Sequence, residues 1–489
     1  MAFENTNETA LAACVVPTAA ELRAELDTLA AGLPDATPAA MAAALDAADP
    51  LAGLSQHFTI PALGNIPAAR EYAAKNGQES APCLYLCGHS LGLMPTMAGE
   101  LMNNELSAWG SHAVLAHFDH PGKPPHHRAW VDGDEDIRES LAIMVGARYR
   151  HEVISMNALT VNLHLMMAAF YRPTATRFKI LCELGAFPSD WYAIQTQIRL
   201  HGRNPDDAMI VVKPRDGERI LRLEDIKAAI DENADSLAMI LLPGAHHLTG
   251  QQMPMAEITA HANRTHADIR VGFDLAHAAG AIPLALHAWG VDFAAWCTYK
   301  YMNAGPGSIG GVFVHDKWAD MGPDSVRLSG WIGHSMETRF RMDNVTDYVH
   351  GAPGFVISNA SPFALATLRA SLVVFDKTTP ATRRAKSIRL AAFLHYLLEE
   401  AGLLGKQIGL LTSLEPAERG GHVSLLIGRG GCRETSRSVH RALEARGVLC
   451  DFREPDVIRV SPQALYSSYA DVLRFVELLK QAVNSVIPE

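Results

Sequence analysis

The stretch GFDLAH at 272–277 and the stretch TYKYMNAG at 298–305 decide the fold of this chain. Asp274 ends the apolar run IRVGF, and Lys300 follows the apolar run FAAWC, so both side chains are expected at the carboxyl ends of strands. Ligands of open α/β sheets bind at that edge. An acid and an amine that meet there suit pyridoxal phosphate (PLP), because the lysine can form a Schiff base and the carboxylate can keep the pyridine nitrogen protonated. The alternative reading is a surface lysine and an unrelated strand-end aspartate.

The segments around this pair alternate between strand and helix patterns. Helices are predicted at 224–230 and 255–262 between short, mostly apolar runs, a spacing typical of a largely parallel sheet covered on both faces. The predicted strands are 177–183, 208–213, 237–242, 269–274, 292–298 and 309–315.

The pattern changes after about residue 360. A long helical stretch at 363–402 precedes a compact α+β pattern, with strands at 422–427, 448–453 and 457–461 and helices at 438–446 and 468–486. We therefore predict an N-terminal helical segment at 1–80 that packs on the body, a large ligand-binding domain at 81–360 and a small domain at 361–489.

Composition limits the class of function. The chain has 489 residues, 48% hydrophobic and 19% charged, with a net charge of −11. Two or more domains are expected at this length, and the lack of a basic cluster argues against nucleic acid as a partner. Seven scattered cysteines indicate reduced thiols in the cytoplasm. An acidic N-terminus and the lack of an apolar run of about 18 residues predict neither secretion nor membrane insertion.

Two further segments suit a cofactor pocket. In MNALTVNLH (156–164), Asn157 and Thr160 are candidate helix N-caps, and a helix N-terminus can hold a phosphate, although an ordinary capped helix is the alternative. In AFPSD (186–190), Phe187 can stack on a flat ring or serve as a core residue.

Tyr299 and the glycine-rich stretch 303–311 also suit this pocket, because glycines let backbone approach a ligand and a tyrosine hydroxyl can hold a phosphate oxygen; a tight turn is the alternative. His277 reaches the same site if a helix starts after Asp274.

Five histidines between 112 and 127 lie among prolines, so they are expected on a loop. Their spacing fits no helix face, and we predict a substrate-side loop rather than a metal site. A plain surface loop stays open as an alternative. No metal site is predicted in the chain.

These residues resemble the kynureninases, PLP enzymes of fold type I, over most of the chain from 84 to 461. The stretches that carry the resemblance are LYLCGHSLG (84–92), MNALTVNLHL (156–165), FPSDWYAI (187–194), GFDLAHA (272–278), YKYMNAG (299–305), GWIGH (330–334), RFRMDN (339–344), GFVISN (354–359) and VIRVSP (457–462).

The resemblance implies roles for individual residues. Lys300 is the implied Schiff-base lysine, with Asp274 at the pyridine nitrogen and Tyr299 as a third catalytic residue. The implied cofactor contacts are Leu159, Thr160, Phe187, Asp190, Asp274, His277, Tyr299, Lys300, Trp331 and Asn359. The implied substrate contacts are Arg459 at the α-carboxylate, His120, Ser358 and Asn359.

The resemblance also implies an activity and an assembly. The activity is hydrolysis of the Cβ–Cγ bond of L-kynurenine or a ring-substituted relative, as in tryptophan catabolism and NAD biosynthesis, by a homodimer with active sites at the subunit interface. The residues Ser358 and Asn359 suggest a preference for 3-hydroxykynurenine. Two alternatives stay open: a cysteine-desulfurase-like elimination, for which Cys432 is the candidate nucleophile, and a non-catalytic relative.

Three departures from the family pattern concern the cofactor phosphate and the substrate. Pro243 and Leu248 stand where the family has a serine and a tyrosine, so two hydroxyl donors are missing. His89 replaces the asparagine of the family's GNSLG.

Overall fold

The structure, a computed structural model, describes residues 16–122, 126–321, 325–428 and 433–487. These residues form two compact units. The first unit contains 97–247 and 253–376, and the second contains 16–96, 248–252 and 377–487. The N-terminal segment thus shares a unit with the C-terminal part of the chain. Of the predicted segment 1–80, the first 15 residues lie outside the described part, as does Cys432.

The described residues form fifteen α-helices. In chain order, α1 to α15 are Ala19–Gly32, Pro38–Ala47, Arg70–Asn76, Ala98–His112, Arg138–Val145, Leu159–Phe170, Pro188–Leu200, Pro205–Ala208, Leu223–Glu232, Met255–Thr265, Leu286–Trp289, Pro362–Phe375, Pro380–Glu400, Arg433–Glu444 and Tyr469–Val486.

The described strands also number fifteen. In chain order, β1 to β15 are Phe58–Thr59, Leu84–Tyr85, Met94–Pro95, Val153–Ser155, Lys179–Glu183, Met209–Val212, Leu237–Pro243, Arg270–Asp274, Phe293–Cys297, Gly310–Val314, Ile408–Leu410, Val423–Ile427, Val448–Leu449, Asp451–Arg453 and Val457–Val460.

The first unit is built on a seven-stranded sheet of order β4-β10-β9-β8-β7-β5-β6. Strand β10 runs antiparallel to both of its neighbours, and the other strands are parallel, so the predicted mostly parallel sheet is confirmed. The six predicted strands are β5 to β10, whereas the short strand β4 was not predicted. Strands β9 and β10 are buried at every position, because helices cover both faces of the sheet.

Register brings strand ends together. Asp274 pairs with Pro243 on β7 and with Ala295 on β9. Position 272 has room only for a glycine, because a Cβ there would lie 2.2 Å from the Phe293 ring. The carboxyl ends of β5, β7 and β8 therefore form one edge, at the position that the sequence predicts for the ligand.

The second unit contains an antiparallel sheet of order β11-β12-β15-β14. Its core combines the apolar faces of α13, α14 and α15 with Leu26 of α1 and Met41 of α2. The small α+β module is confirmed in type. The helical stretch predicted at 363–402 consists of two helices, α12 and α13, because the chain breaks at 376–379 and Pro380 starts a new helix.

Candidate active site

A cavity of about 270 Å³ in the first unit contains Asp274 and Lys300 together. It lies at the carboxyl edge of the sheet, as expected for a ligand site. Eight predicted residues line it, namely Leu159, Thr160, Phe187, Asp190, Asp274, His277, Tyr299 and Lys300. The reading of Asp274 and Lys300 as unrelated surface residues is wrong.

Lys300 is half-buried and lies three residues past β9. Its Nζ donates to Nε2 of His277 over 3.1 Å and lies 5.7 Å from the centre of the Phe187 ring. His277 was expected to reach this site if a helix starts after Asp274, but residues 276–281 form turns. The short connection after β8 places His277 there instead.

Phe187 is 38% exposed and lines the cavity, so of the two alternatives the core residue is ruled out. An exposed ring beside an amine and an acid is available to stack on a flat ligand. Tyr299 is half-buried, and burial together with the neighbouring Cys297 raises the pKa of its hydroxyl.

Three acidic side chains converge on this cavity, namely Glu183 at the end of β5, Asp190 in the first turn of α7 and Asp274 at the end of β8. Burial and, to a lesser extent, the charge of Asp274 raise the pKa of Glu183 to about 8. Burial and the adjacent Asp274 also hold the pKa of Asp190 well above its usual range. Asp274 Oδ1 accepts the Ala276 N–H at 2.7 Å. Glu183 and Asp190 therefore favour their protonated forms beside Asp274.

The N-terminus of α6 faces the cavity through Ala158, Leu159 and Thr160. The predicted caps are wrong: the N-cap is Ala158, and no side chain caps the helix. Asn157 adopts a left-handed conformation, with φ at 47°, and donates to Asn162. The first-turn N–H groups therefore remain directed at the cavity, where an anion can accept hydrogen bonds from them.

Two titratable cavity residues were missed by the sequence reasoning, Glu183 and His247. Glu183 ends a predicted strand, so the rule that identified Asp274 applies to it as well. His247 lines the cavity beside Pro243, and its Nε2 lies 3.0 Å from the Gly185 carbonyl. Local sequence does not predict that His247 lines the cavity, because its position depends on the path of the chain after β7.

Four predicted residues of the first unit lie away from this cavity within the described part of the chain. Trp331 is 49% exposed and donates to the Arg339 carbonyl. Ser358 is exposed, and Asn359 lines a separate cavity of about 440 Å³. His120 lies in a third place, next to Glu105.

Glu105 is a buried carboxylate surrounded by N–H donors. Trp130 Nε1 donates to it over 2.8 Å, and His120 Nε2 lies 3.3 Å from the same oxygen. His127 Nδ1 lies 3.5 Å from the other oxygen. The His120 side chain is only 2% exposed. For this histidine, the prediction of a plain surface loop is therefore wrong.

Arg459 belongs to the second unit. It is buried and pairs with Asp451, and Ser90 lies 3.4 Å away. His89 is also buried, stacks on His422 with a centroid distance of 5.2 Å, and lies 3.6 Å from Asp451. The Leu248 carbonyl accepts from Ser424 in the same unit.

Comparison with protein-family models gives two matches. The Kynureninase C-terminal domain model matches residues 383–479, and the Aminotransferase class-V model matches residues 124–353. Kynureninase 2 of Aspergillus clavatus is 43% identical over 92% of this chain and 97% of its own. Kynureninase of Monosiga brevicollis is 42% identical over 91% and 96%.

Solved structures show the same fold at much lower identity. The cystine C-S lyase C-DES has a TM-score of 0.64 at 17% identity and covers 82% of this chain and 98% of its own. The cysteine desulfurase CsdA of Escherichia coli has a TM-score of 0.63 at 14% identity, with 89% and 99% covered. These likenesses concern the fold alone.

Proposed function

Because this chain belongs to the kynureninase family, we propose that it hydrolyses the Cβ–Cγ bond of L-kynurenine or 3-hydroxykynurenine with PLP as its cofactor. The products are anthranilate or 3-hydroxyanthranilate and L-alanine. The observation that carries the proposal is the single cavity that holds Lys300, Asp274 and the α6 N-terminus. A desulfurase reaction is not favoured, since the named desulfurases are similar in fold only.

The cavity residues fit PLP group by group. Lys300 offers the amine that would bind the aldehyde carbon, and Asp274 offers a carboxylate for the pyridine N–H. Phe187 offers a ring face, and the N–H groups of Leu159 and Thr160 offer a phosphate seat. Pro243 supplies no hydroxyl in this cavity, so backbone N–H groups and His277 carry more of the phosphate binding.

When bound, PLP acts as an electron sink that makes the substrate α-proton acidic. With PLP bound, Lys300 Nζ would be the base that removes this α-proton from the substrate. His277 Nε2, at 3.1 Å, accepts a hydrogen bond from this amine and orients it. Asp274 would accept a hydrogen bond from the protonated ring nitrogen of PLP, and the raised pKa values of the neighbouring Glu183 and Asp190 favour their neutral forms.

Substrate binding is assigned to four residues within this proposal. Arg459 binds the α-carboxylate, a task that suits a planar guanidinium. His120, Ser358 and Asn359 lie away from the Lys300 cavity of their own chain, so in this proposal they contact the aromatic end of the substrate at the subunit interface. Ser358 and Asn359 favour the 3-hydroxylated ring. Trp130 supports His120, because its Nε1 donates to the Glu105 carboxylate oxygen that His120 Nε2 also contacts.

We also propose a cytoplasmic homodimer. Several large apolar side chains of the first unit are exposed, including Phe118 at 61%, Phe340 at 50% and Met342 at 75%. The Phe118 and Phe340 rings lie 6.0 Å apart, so the exposed residues form a patch of the kind that subunit contacts cover. Sedimentation velocity is expected to give the mass of two chains, and a purely monomeric species at micromolar concentration would contradict the dimer.

None of the helices in the described residues combines the length and apolarity needed to cross a bilayer. Cys83, Cys87, Cys182, Cys297 and Cys450 are free thiols, which supports a reducing compartment.

The experiment that tests the function combines spectra and turnover. The purified protein with PLP is expected to absorb visible light and to release fluorescent anthranilate from kynurenine and its 3-hydroxy analogue from 3-hydroxykynurenine, with the higher kcat/KM for the latter. Lys300→Ala is expected to lose the lysine-dependent absorbance and to lower kcat by about 10²–10⁴-fold. Lys317→Ala, on the same unit, is the matched control. Normal turnover in Lys300→Ala, or desulfuration of cysteine without kynurenine hydrolysis, would refute the proposal.

A further inference from the structure

Three clusters of metal-ligand side chains occur among the described residues. They are Glu105 with His120 and His127, Glu152 with His287 and His315, and His151 with Asp316 and His350. In each cluster one ligand atom per residue lies within 4.8 Å of the others. All belong to the first unit, but none of these residues lines the Lys300 cavity.

Hydrogen-bond roles argue against a metal in the Glu105 cluster. His120 Nδ1 accepts the Gly122 N–H at 3.0 Å, so the ring proton lies on Nε2, which faces Glu105. A nitrogen that carries a proton is a donor and cannot bind a metal without a change of tautomer. The change would break the bond from Gly122.

The Glu152 cluster is also occupied by hydrogen bonds. Backbone N–H groups of Arg148, Tyr149 and Asp316 reach the two Glu152 oxygens at 2.7–3.0 Å. His315 Nδ1 accepts the Lys317 N–H, and its Nε2 donates to the His287 carbonyl. Both nitrogens of His315 are thus used, and the cluster is a structural anchor.

In the third cluster, the distances between the side chains and their exposure are compatible with metal binding. His151 Nε2 lies 2.6 Å from Asp316 Oδ1, and the His151 and His350 rings lie 4.5 Å apart. The side chains of His151, Asp316 and His350 are 30%, 40% and 51% exposed, so they are accessible to an ion and can rotate. Ligand atoms of tetrahedral zinc lie roughly 3.3 Å apart, which these side chains can reach by small rotations.

The framework around this cluster is fixed. Strand β4 begins two residues after His151 and pairs with β10, which ends two residues before Asp316. Glu152 holds the Asp316 N–H at 2.8 Å. Gly351 has φ at 76°, and a Cβ there would lie 2.3 Å from the His151 carbonyl oxygen, so this glycine allows His350 to approach.

Asp320 adds a partner of the kind that orients metal-bound histidines. Its Oδ1 accepts from His350 Nδ1 at 2.8 Å. With the proton on Nδ1, the lone pair of His350 lies on Nε2, where it is available to a metal ion. Aspartate behind a histidine ligand is a common arrangement in zinc sites.

We propose that His151, Asp316 and His350 bind one divalent transition-metal ion of the Zn²⁺ class, with Asp320 orienting His350. Two imidazoles and one carboxylate suit zinc, and the remaining position stays open to water. Asp316 and His350 flank the segment 317–349, which carries Trp331. The ion would therefore hold Asp316 and His350 next to His151, which lies two residues before β4. This site is independent of the proposed reaction.

Zinc titration of the metal-free, PLP-loaded protein by calorimetry tests the proposal. We expect one ion per chain and a rise in Tm with added zinc. Asp316→Asn and His350→Ala are expected to weaken binding by about 100-fold, and Asp320→Asn by about tenfold.

The matched control is His261→Ala, which breaks another surface pair, His261 with Asp231 at 2.8 Å, outside the three clusters. It is expected to bind zinc like the unaltered protein. Wild-type affinity in both Asp316→Asn and His350→Ala, or no binding by the unaltered protein at millimolar zinc, would overturn the proposal. Kynurenine turnover measured in parallel separates this outcome from the proposed function.

Discussion

Two buried glutamates beside the same sheet, Glu152 before β4 and Glu183 at the end of β5, differ in what surrounds their carboxyl groups. Burial raises the pKa of Glu152, but hydrogen bonds from His287 and from the Asp316 and Tyr149 N–H groups outweigh it, so the pKa lies below its usual value. Burial raises the pKa of Glu183 to about 8. A buried acid with a full set of donors is an anchor, whereas a buried acid among other acids indicates a ligand site.

Glu152→Ala tests the anchor and has the larger expected effect. The substitution leaves buried N–H groups without an acceptor, so we expect a loss of roughly 3 kcal/mol in the free energy of unfolding. Urea denaturation measures it, with the exposed Glu139→Ala on α5 as the control.

The pH dependence of Glu152 has a definite sign. Its pKa in the folded protein is depressed, so its stabilisation is present above the unfolded pKa and disappears as the pH falls through the folded pKa. Glu152→Ala should lack this acid-dependent component. Equal stability of the two proteins at neutral pH would show that Glu152 is not an anchor.

Glu183→Gln tests the ligand-site acid and has the smaller expected effect. The folded protein keeps a proton on Glu183 that the unfolded chain releases, so stability falls as the pH rises from about 4.5 to about 8. Glutamine has nearly the same shape and cannot ionise. The PLP-free variant is therefore expected to lose less stability over this interval.

Thermal unfolding of the PLP-free protein at pH 6 and pH 8.5 measures the difference, with Glu139→Gln as the control. Identical pH dependence in Glu183→Gln and in the unaltered protein would mean that Glu183 does not hold this proton. The proposed difference between Glu152 as an anchor and Glu183 as a protonated acid would then be contradicted.

Much of the candidate site could be predicted because its residues end strands. Asp274 follows an apolar run, and Lys300 follows another, so local sequence was enough to place both at one edge. The sequence identified Phe187 and Thr160 as candidates, but it did not determine whether Phe187 is exposed or whether Thr160 caps a helix. His277 was expected on a helix and reaches the cavity from a turn, since the tight connection after β8 depends on packing against the sheet.

The sequence alone determined the sheet and its ligand edge, because a strand buried on both faces reads as a continuous apolar run and its end is visible locally. Only the tertiary structure decided which acids keep their protons and which histidine nitrogens are free. Those properties depend on atoms far apart in the chain, as in the pairing of His151 with Asp316 and of Glu152 with His287. Burial and hydrogen-bond partners set protonation, and neither can be read from neighbouring residues.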